Sequence, residues 1–461
     1  MSATTDVIPD PAPRPSGLSP ERLAPLGRPA LRLLLLVVLF AALLPPQCMI
    51  ADLIDEREAR QRDVWAEIAT AWGRPQSVLP PTLAVPTQIR GEPVPMIGPG
   101  GMPVLPAVPP PPTPAVLAIP PATLEARLRM EPETRQRGIF AAVVYRARIE
   151  LTGTLSVPAE IPAGEHDWRE AAIVLAATDL RATAAEPVLE SGDRRLTAAG
   201  ASGWESCRGM ETIRWPLRLG APPAPGTTVP FSVAIDLRGT SSFRLLAAAR
   251  RTAFEASAPW ATPSFAGTDL PARSEITDDA FRAEWLAGNR QAGARVSTDW
   301  CEALGRTAGV QEINLLEAVP TYRMVNRAAK YAVLIVALAL LTYTLFELLA
   351  RVAIHPVQYA LVGLSVVLFP LLLLALGEPL GFSAAFAIAA AMVTAQSGAY
   401  TAMTTRRWGL AALFAGVLAG MFAFVHTVLR LESYSLLAGA VALFAGLSVL
   451  MVVTRRVRWG A

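Results

Sequence analysis

The sequence has few of the residues on which metal sites and disulfide scaffolds depend. Its 461 residues include only 3 cysteines and 3 histidines, which excludes a disulfide-dense fold and disfavours a zinc cluster. Only 17% of the residues are charged, against roughly 25% in soluble domains. The formal net charge of +3, from 41 basic and 38 acidic residues, is too balanced for a nucleic-acid partner. We therefore expect a chain that lies largely in a lipid bilayer.

Long apolar runs are the main feature that the sequence does have. Hydrophobic residues make up 52% of the chain and the mean hydropathy is +0.38. The first run lies within residues 31–50, and each run has about the 20 residues that a helix needs to cross a ~30 Å hydrocarbon core. Five later runs form a block over residues 330–453, at Ala332–Ala350, Val357–Gly377, Leu380–Tyr400, Gly409–Leu429 and Tyr434–Val453. The pattern predicts a multi-pass α-helical membrane protein with six spans.

Arginines near the span ends predict the orientation. With six spans, one side of the membrane receives most of them: Arg14, Arg22, Arg28 and Arg32 before the first span, then Arg351, Arg406, Arg407, Arg455, Arg456 and Arg458. Because basic residues are retained on the cytoplasmic side, we expect residues 1–30 and 454–461 in the cytoplasm. Residues 51–329, between the first and second spans, then lie on the opposite side. We expect the first span to be an uncleaved anchor, since no good signal-peptidase site follows it.

Residues 51–329 have the pattern of a β-rich domain. Three segments alternate apolar and polar residues and are bounded by turn residues, which indicates an antiparallel β-sandwich or a related fold; they are Tyr145–Leu155, Thr212–Leu219 and Val229–Leu237. We expect three helices as well, at Asp52–Trp72, Glu125–Arg137 and Asp278–Gly288. Residues 78–121 are rich in proline and glycine, so we expect a linker or an extended insertion without an interior strand.

Several blocks in this order resemble one known family. They are Trp72-Gly73 with Gln76, Tyr145 with Gly153, Asp179 with Arg181, Trp260 to Gly267, and His355 to Gly363. The chain resembles the CreD (Cet) family of bacterial inner-membrane proteins, which is associated with cell-envelope integrity and colicin tolerance. The resemblance implies an inner-membrane location, a periplasmic β-rich domain and a role in the envelope. It implies the lipid bilayer and periplasmic or envelope components as partners, and it implies no reaction.

Motifs of enzymes are missing from the sequence. It has no Gly-x-Ser-x-Gly, no His-Glu-x-x-His, no P-loop and no Cys-x-x-Cys. We therefore expect no catalytic residues, no cofactor and no bound metal. Two classes of function remain open: a non-enzymatic envelope protein, and a transporter or lipid-handling protein with a pathway between its helices. A transporter is expected to have an internal repeat or paired broken helices, and neither is visible in the sequence.

One group of candidate residues lies at the cytoplasmic end of the second span. Glu347, Arg351 and His355 are spaced four and four, so a continuous helix would place them on one stripe. Gln358 and Tyr359 would then face back toward the same turn from the start of the third span. We expect these side chains to form a polar contact that fixes the angle between the two spans. The alternative is that they are separately solvated at the membrane surface.

Two further groups lie in the β-rich region. Trp260, Pro263, Phe265 and Gly267 belong to a turn-like segment whose aromatic rings either fill the core or bind a partner or a glycan. Cys207 and Cys301 both fall in a compartment that permits disulfides. Whether these two cysteines pair cannot be read from their positions in the sequence.

Overall fold

The computed structural model describes residues 28–455 except 92–93, 98–102, 109–110, 182, 184–185, 201, 316–320, 351, 353 and 431–434. The chain divides into a helical unit, made of Met1–Glu56 and Thr321–Ala461, and a β-unit, Arg57–Pro320. Helix α1 begins in the first and ends in the second. The helices are α1 (Arg28–Trp72), α2 (Trp300–Gly305), α3 (Thr321–Ala350), α4 (Pro356–Val367), α5 (Phe369–Leu380), α6 (Phe382–Thr405), α7 (Trp408–Arg430) and α8 (Ser435–Thr454).

Five helical segments among the described residues are long and apolar enough to cross a membrane. They are Leu34–Trp72, Tyr322–Glu347, Pro356–Leu380, Phe382–Thr405 and Trp408–Arg430. The sixth predicted span coincides with α8, where many side chains lie outside the described residues. The third span is divided into two helices, because α4 ends at Val367 and α5 begins at Phe369, with Leu368 between them. Pro370 explains the break, since its ring clashes with the preceding turn and it has no N–H to donate.

The β-unit contains two large sheets and one hairpin. Its strands are β1 (Gln76–Ile89), β2 (Val94–Ile97), β3 (Pro103–Val108), β4 (Thr113–Ile119), β5 (Pro121–Arg137), β6 (Phe140–Ser156), β7 (Glu165–His166), β8 (Ala172–Ala177), β9 (Leu189–Ser191), β10 (Arg194–Leu196), β11 (Glu211–Pro216), β12 (Thr228–Thr240), β13 (Ser242–Ala247), β14 (Arg251–Ala258), β15 (Pro263–Gly267), β16 (Arg273–Ile276), β17 (Phe281–Gly288), β18 (Arg295–Ser297) and β19 (Gly309–Leu315). The three segments predicted as strands, in β6, β11 and β12, are confirmed.

One sheet has the order β11-β8-β1-β13-β19-β15, with β4, β7 and β18 paired to its members, and the other has the order β10-β9-β12-β6-β5-β14-β17-β16. The two sheets share one core, because residues such as Leu83 and Ile313 of the first pack in the same cluster as Leu128 and Ile149 of the second. This is the layered arrangement that was expected. Most pairs are antiparallel, but β1 pairs with β13 and β14 pairs with β5 in parallel.

The expectation that residues 78–121 hold no interior strand is wrong. Strand β1 lies inside its sheet, hydrogen-bonded to β8, β13 and β4, and most of its residues are buried. Pro80 and Pro81 fall where the register with β8 shifts between Leu79 and Thr82. A bulge leaves residues unpaired, so the missing N–H groups of these prolines remove no ladder hydrogen bond.

Two segments expected to be helices are strands. Residues 125–137 belong to β5 and residues 281–288 form β17, after a turn in which the amide of Thr277 donates to the carbonyl of Ala280. Burial alternates along β5, where Leu124, Ala126 and Leu128 are buried and the residues between them are exposed. A period of two is that of a sheet with one solvated face, and it outweighs the helix propensity of the Glu, Arg, Leu and Met residues.

The opposite face of the first sheet has a cover of its own. Helix α2 and the loop before β11 pack on Leu79, Val116 and Val174, and Trp300 is fully buried there. The indole Nε1 of Trp300 donates to the carbonyl oxygen of Glu205 at 3.2 Å. This cover buries a second apolar face of the sheet away from the main core.

Candidate functional site

Helix α1 ends at a cluster of motif residues, here called the helix junction: Trp72, Gly73, Gln76, Tyr145, Asp179 and Arg181. The predicted stop after Trp72 is confirmed. The indole Nε1 of Trp72 donates to the carbonyl oxygen of Tyr145 at 3.2 Å. The guanidinium carbons of Arg135 and Arg238 lie 3.8 and 4.8 Å from the centroid of its ring, within cation–π range. The end of α1 is thus held by its last aromatic side chain.

Gly73 and Gln76 allow the chain to pass directly from the helix into β1. A Cβ at position 73 would lie 2.6 Å from the carbonyl oxygen of Arg238. Only glycine therefore lets the two stretches of main chain come this close. The Gln76 side chain is buried, and its Nε2 donates to the carbonyls of Asp179 at 2.8 Å and Arg238 at 2.6 Å. Its Oε1 accepts from the amide of Asp179 at 3.3 Å. The buried amide therefore has both donor and acceptor partners, as burial requires.

A charged pair completes the junction. The Asp179 carboxylate is almost fully buried and accepts from Arg181 Nε at 3.0 Å and Nη2 at 2.5 Å. Arg181 Nη1 donates to the carbonyl of Thr70 at 3.1 Å, one of the carbonyls that a helix end leaves without an internal partner. Hydrogen bonding from Arg181 lowers the pKa of Asp179 below its ordinary value, and the same contact raises the pKa of Arg181. The pair stabilises the helix end while it is ionised.

Tyr145 lies behind this cluster in the core. Its ring is fully buried, and its hydroxyl donates to the carbonyl oxygen of Ser242 at 2.7 Å. Burial raises the pKa of Tyr145 far above its ordinary value, so the phenol stays neutral at physiological pH. Gly239, opposite Tyr145 on β12, leaves room for the ring, since a Cβ there would overlap the phenol. Tyr145 has a structural role and no sign of reactivity.

A second site, here called the interhelical polar chain, crosses the helical unit. The hydroxyls of Tyr343 on α3 and Thr401 on α6 share a short hydrogen bond, and Thr401 donates to the carbonyl of Ser397 at 2.7 Å. Ser397 Oγ contacts Ser365 Oγ of α4 at 3.2 Å, and Ser365 donates to Gln396 Oε1 at 3.0 Å. Three helices are therefore joined by polar groups, which in an apolar surrounding act as specific contacts.

The candidate residues at the end of the second span form only part of the contact that was expected of them. Helix α3 ends at Ala350, so Glu347 and His355 do not share one helical stripe and that expectation is wrong. Arg351 lies outside the described residues. Glu347 nevertheless contacts the next span, because its Oε2 accepts from the hydroxyl of Tyr359 at 2.9 Å.

His355 and Gln358 have a different partner from the one expected. His355 is the residue before α4, its Nδ1 accepts from the amide of Val357 at 3.3 Å, and its own amide donates to Gln358 Oε1 at 3.2 Å. This is a capping box, which supplies partners for amides that the first turn leaves unpaired. Both residues hold the start of α4 in place.

The segment from Trp260 to Gly267 ends in β15 (Pro263–Gly267), at the edge of the first sheet. The ring of Phe265 lies edge-on to Phe281 at 5.8 Å and to Trp285 at 5.5 Å, and Trp260 packs against the same core. Gly267 has φ +99°, and a Cβ there would overlap the Val310 carbonyl. These positions favour the role of core filler over that of a binding surface.

Cys207 and Cys301 are joined in a disulfide, with 5.7 Å between their Cα atoms. The bond links the loop before β11 to α2 across the cover described above. Among the residues that the structure describes, no group of three or more His, Cys, Asp or Glu side chains is placed to hold a metal ion.

Sequence reasoning missed the middle of the interhelical polar chain. Tyr343, Ser365, Ser397 and Thr401 are buried, yet single hydroxyls inside apolar runs give no strong signal. Gln396 was the clearest available signal, since it is an amide in the interior of a predicted span. Junction residues were noted only as separate blocks.

Comparison with known proteins identifies the family. Residues 28–460 match the family model described as inner membrane protein CreD. The chain is 29% identical over 338 residues to "Inner membrane protein CreD" of Escherichia coli K12, which covers 71% of this chain and 73% of that protein. A structure of a mutant M1 zinc metallopeptidase of Deinococcus radiodurans matches 69% of this chain and 89% of its own at 11% identity and a TM-score of 0.23, too low to carry an argument. The chain belongs to the CreD family of inner-membrane proteins.

Proposed function

For this member of the CreD family, we propose a non-enzymatic role in the integrity of the cell envelope. In this proposal the chain crosses the inner membrane six times, with both termini in the cytoplasm, and α1 provides the first span. The β-unit lies in the periplasm between the first and second spans. Arginine asymmetry supports this orientation, and so does the disulfide between Cys207 and Cys301, since such bonds persist in the periplasm.

The observation that carries this proposal is the helix junction. A domain that only had to be tethered could be joined by a flexible linker rich in glycine or serine. Here α1 runs as one helix to Trp72, and Gly73 and Gln76 lead straight into a buried strand. Buried hydrogen bonds and an ion pair hold the helix end. We infer that the end of α1 is an integral part of the folded β-unit, as suits a structural or sensing role in the envelope.

Complementation tests this role. Deleting the gene in the source bacterium should increase sensitivity to detergent and the release of a periplasmic marker enzyme, and the wild-type chain should restore both. A chain with Trp72→Ala and Gln76→Ala should restore neither, while Ile139→Ala, an exposed residue of the β-unit, should restore both. Immunoblots of membrane fractions check that the variants accumulate equally. A deletion strain with unchanged detergent sensitivity and marker release would contradict the proposal.

Alkaline phosphatase fusions test the orientation separately. A fusion after Glu205 or Glu378 should be active, because both positions are placed in the periplasm. One after Arg406 should be silent, because that position is placed in the cytoplasm. Activity after Arg406 would refute the six-span arrangement while leaving the envelope role to be judged by complementation.

The interhelical polar chain favours a second candidate, a transporter or lipid-handling protein. Polar groups that run between α3, α4 and α6 are the kind of lining that a pathway through a membrane protein uses. Thr401→Val and Ser397→Ala would interrupt this chain while keeping side-chain volume close to that of the native residues. If either variant accumulates normally and fails to restore detergent resistance, a pathway is favoured. If both restore it fully, the chain serves helix packing alone.

A further inference from the structure

A groove runs between α6 and α7 in the helical unit. Its volume is about 690 Å³, within the range of pockets that hold small molecules. Of the 17 described residues that line it, 11 are alanine. A Cβ at position 398 would lie 3.2 Å from the Cβ of Ala415, so the two helices approach closely at Gly398. Lining residues such as Ala395 and Ala419 are exposed, and in a membrane-spanning segment such a surface faces lipid.

The cross-section of the groove fits a single hydrocarbon chain. On α6 the lining extends from Phe386 to Ala402, which is about 24 Å at 1.5 Å per residue. The volume of about 690 Å³ divided by this length gives a mean cross-section of about 29 Å². A helix with its side chains is roughly 10–12 Å across, which is about three times this area. Carbon atoms in contact lie only about 3.5–4.0 Å apart, so one lipid chain fits where a helix does not.

The length of the groove exceeds one leaflet of the membrane. The hydrocarbon core is ~30 Å thick, so each leaflet contributes about half of that thickness. An acyl chain of a phospholipid ends near the midplane and would fill only part of the groove. A chain that fills it from end to end has to continue past the midplane. The long isoprenoid chain of a polyprenyl lipid meets this requirement.

The end of the groove where α6 begins and α7 ends carries polar groups suited to an anion. His426 lines this end, and its Nδ1 is buried without a hydrogen-bond partner among the described residues. One turn further along α7, the exposed Arg430 donates through Nη2 to Ser383 Oγ at 3.0 Å. Arg430 forms no ion pair within the described part of the chain. A buried polar atom without a partner is costly, and a guanidinium is complementary to a phosphate.

We propose that the groove between α6 and α7 binds a polyprenyl phosphate. Its isoprenoid chain lies along the alanines, and its phosphate lies at His426 and Arg430. A phosphate oxygen accepts a hydrogen bond from Nδ1 of the imidazole when that nitrogen carries the proton, and its negative charge pairs with the guanidinium. The site goes beyond the proposed envelope role and does not depend on it, because binding is measured on the purified chain.

Native mass spectrometry of the detergent-purified full chain tests the ligand. Undecaprenyl phosphate should bind at one site and several-fold more tightly than three related lipids. Undecaprenol lacks the phosphate, farnesyl phosphate has too short a chain, and phosphatidylglycerol has an anionic headgroup with acyl chains that end near the midplane. If phosphatidylglycerol or undecaprenol binds as tightly as undecaprenyl phosphate, the proposal is wrong.

Two variants with matched controls test the position of the ligand. Arg430→Gln should weaken binding of undecaprenyl phosphate several-fold and leave that of undecaprenol unchanged. Its control is Arg406→Gln, at the opposite end of the groove, which should change neither. Ala395→Phe fills the groove and should weaken binding of both lipids, whereas Ala42→Phe, at an exposed position on α1, should not. Equal effects of a variant and its control would overturn the proposal.

Photo-cross-linking of the wild type keeps the test independent of how well the variants fold. A polyprenyl phosphate with a photoreactive group on its chain is added to membranes that contain the full chain. After irradiation and digestion, the label should lie on peptides of α6 and α7, and undecaprenyl phosphate should compete it away. Label confined to other helices, or label that undecaprenyl phosphate does not displace, would contradict a site in this groove.

Discussion

Removing the disulfide between Cys207 and Cys301 should destabilise the β-unit strongly. The two residues are 94 positions apart, and closing a loop of this length lowers the entropy of the unfolded chain. In the chain-entropy model the stabilisation is about 4 to 5 kcal/mol. For a domain of this size each kcal/mol corresponds to roughly 2–4 °C. We therefore expect the thermal midpoint of the β-unit to fall by roughly 8–20 °C.

The structure also indicates what the loss would look like. Trp300 and Leu304 remain apolar and buried against the sheet without the bond, so the native cover should still form. It would open more readily, because only packing and the hydrogen bond from Trp300 to Glu205 would then hold α2 against the loop. Early proteolysis near Cys207 should therefore accompany the lower midpoint.

Intrinsic tryptophan fluorescence during heating of the detergent-purified full chain measures the effect. The variant is Cys207→Ala with Cys301→Ala, and the control is Cys48→Ala, which removes an exposed free cysteine. Reductant should lower the thermal midpoint of the wild type by the same amount. It should leave the thermal midpoint of the double variant unchanged. A shift below about 3 °C would refute the loop-entropy reasoning.

Three further predictions concern the two sites. Asp179→Asn should reduce the loss of stability on acidification. The lowered pKa of this carboxyl contributes stability that is present above about pH 4 and is lost as the pH falls through the pKa of the folded state. Thermal midpoints measured from pH 7 to pH 3 test this. Glu347→Gln and Tyr359→Phe should each cost about 1 kcal/mol, and strict additivity in the double variant would show that they are uncoupled. Gly73→Ala should lower the free energy of unfolding by at least about 1–3 kcal/mol. Gly138→Ala should lower it clearly less, because no atom lies near a Cβ at position 138; equal thermal midpoints of the two variants would contradict the close approach at Gly73.

The helices were predictable because lipid leaves few alternatives. An apolar run of about 20 residues has to satisfy its backbone internally, and a helix does this within one segment. Boundaries such as the stop at Trp72 followed from Gly73 and Pro75. The break at Leu368 was missed, since the run is apolar on both sides and the effect of Pro370 on the preceding turn is local.

The strands were predictable only where alternation was clean. Strand β1 was rejected because its prolines were counted without regard to their position in the hydrogen-bond ladder. Pro80 and Pro81 lie where the register between β1 and β8 shifts. That position depends on the partner strand β8, which starts roughly 90 residues later in the sequence. Pairing over such a distance is set by tertiary packing, which a local pattern does not contain.

The helix junction shows a related limit. Gln76, Asp179 and Arg238 lie far apart in the sequence, and each is an ordinary polar residue in its own segment. They meet because β1 lies beside β8 and β13, and because α1 ends close to the start of β1, where β13 begins and β8 ends. Sequence analysis placed several of them in motifs, but hydrogen bonds between main-chain carbonyls and one buried amide follow from strand order. That order was not readable in advance.

The end of the second span was mispredicted for a reason that the sequence already contained. A proline disfavours the helical conformation of the residue before it, so Pro356 requires His355 to be extended, as it is with ψ 143°. A stripe through Glu347 and His355 needs an uninterrupted helix and is therefore excluded by the next residue. The contact between the two spans forms through Tyr359, which was expected to face this turn. Tyr359 lies one turn inside α4, whose start is held by the capping box of His355 and Gln358.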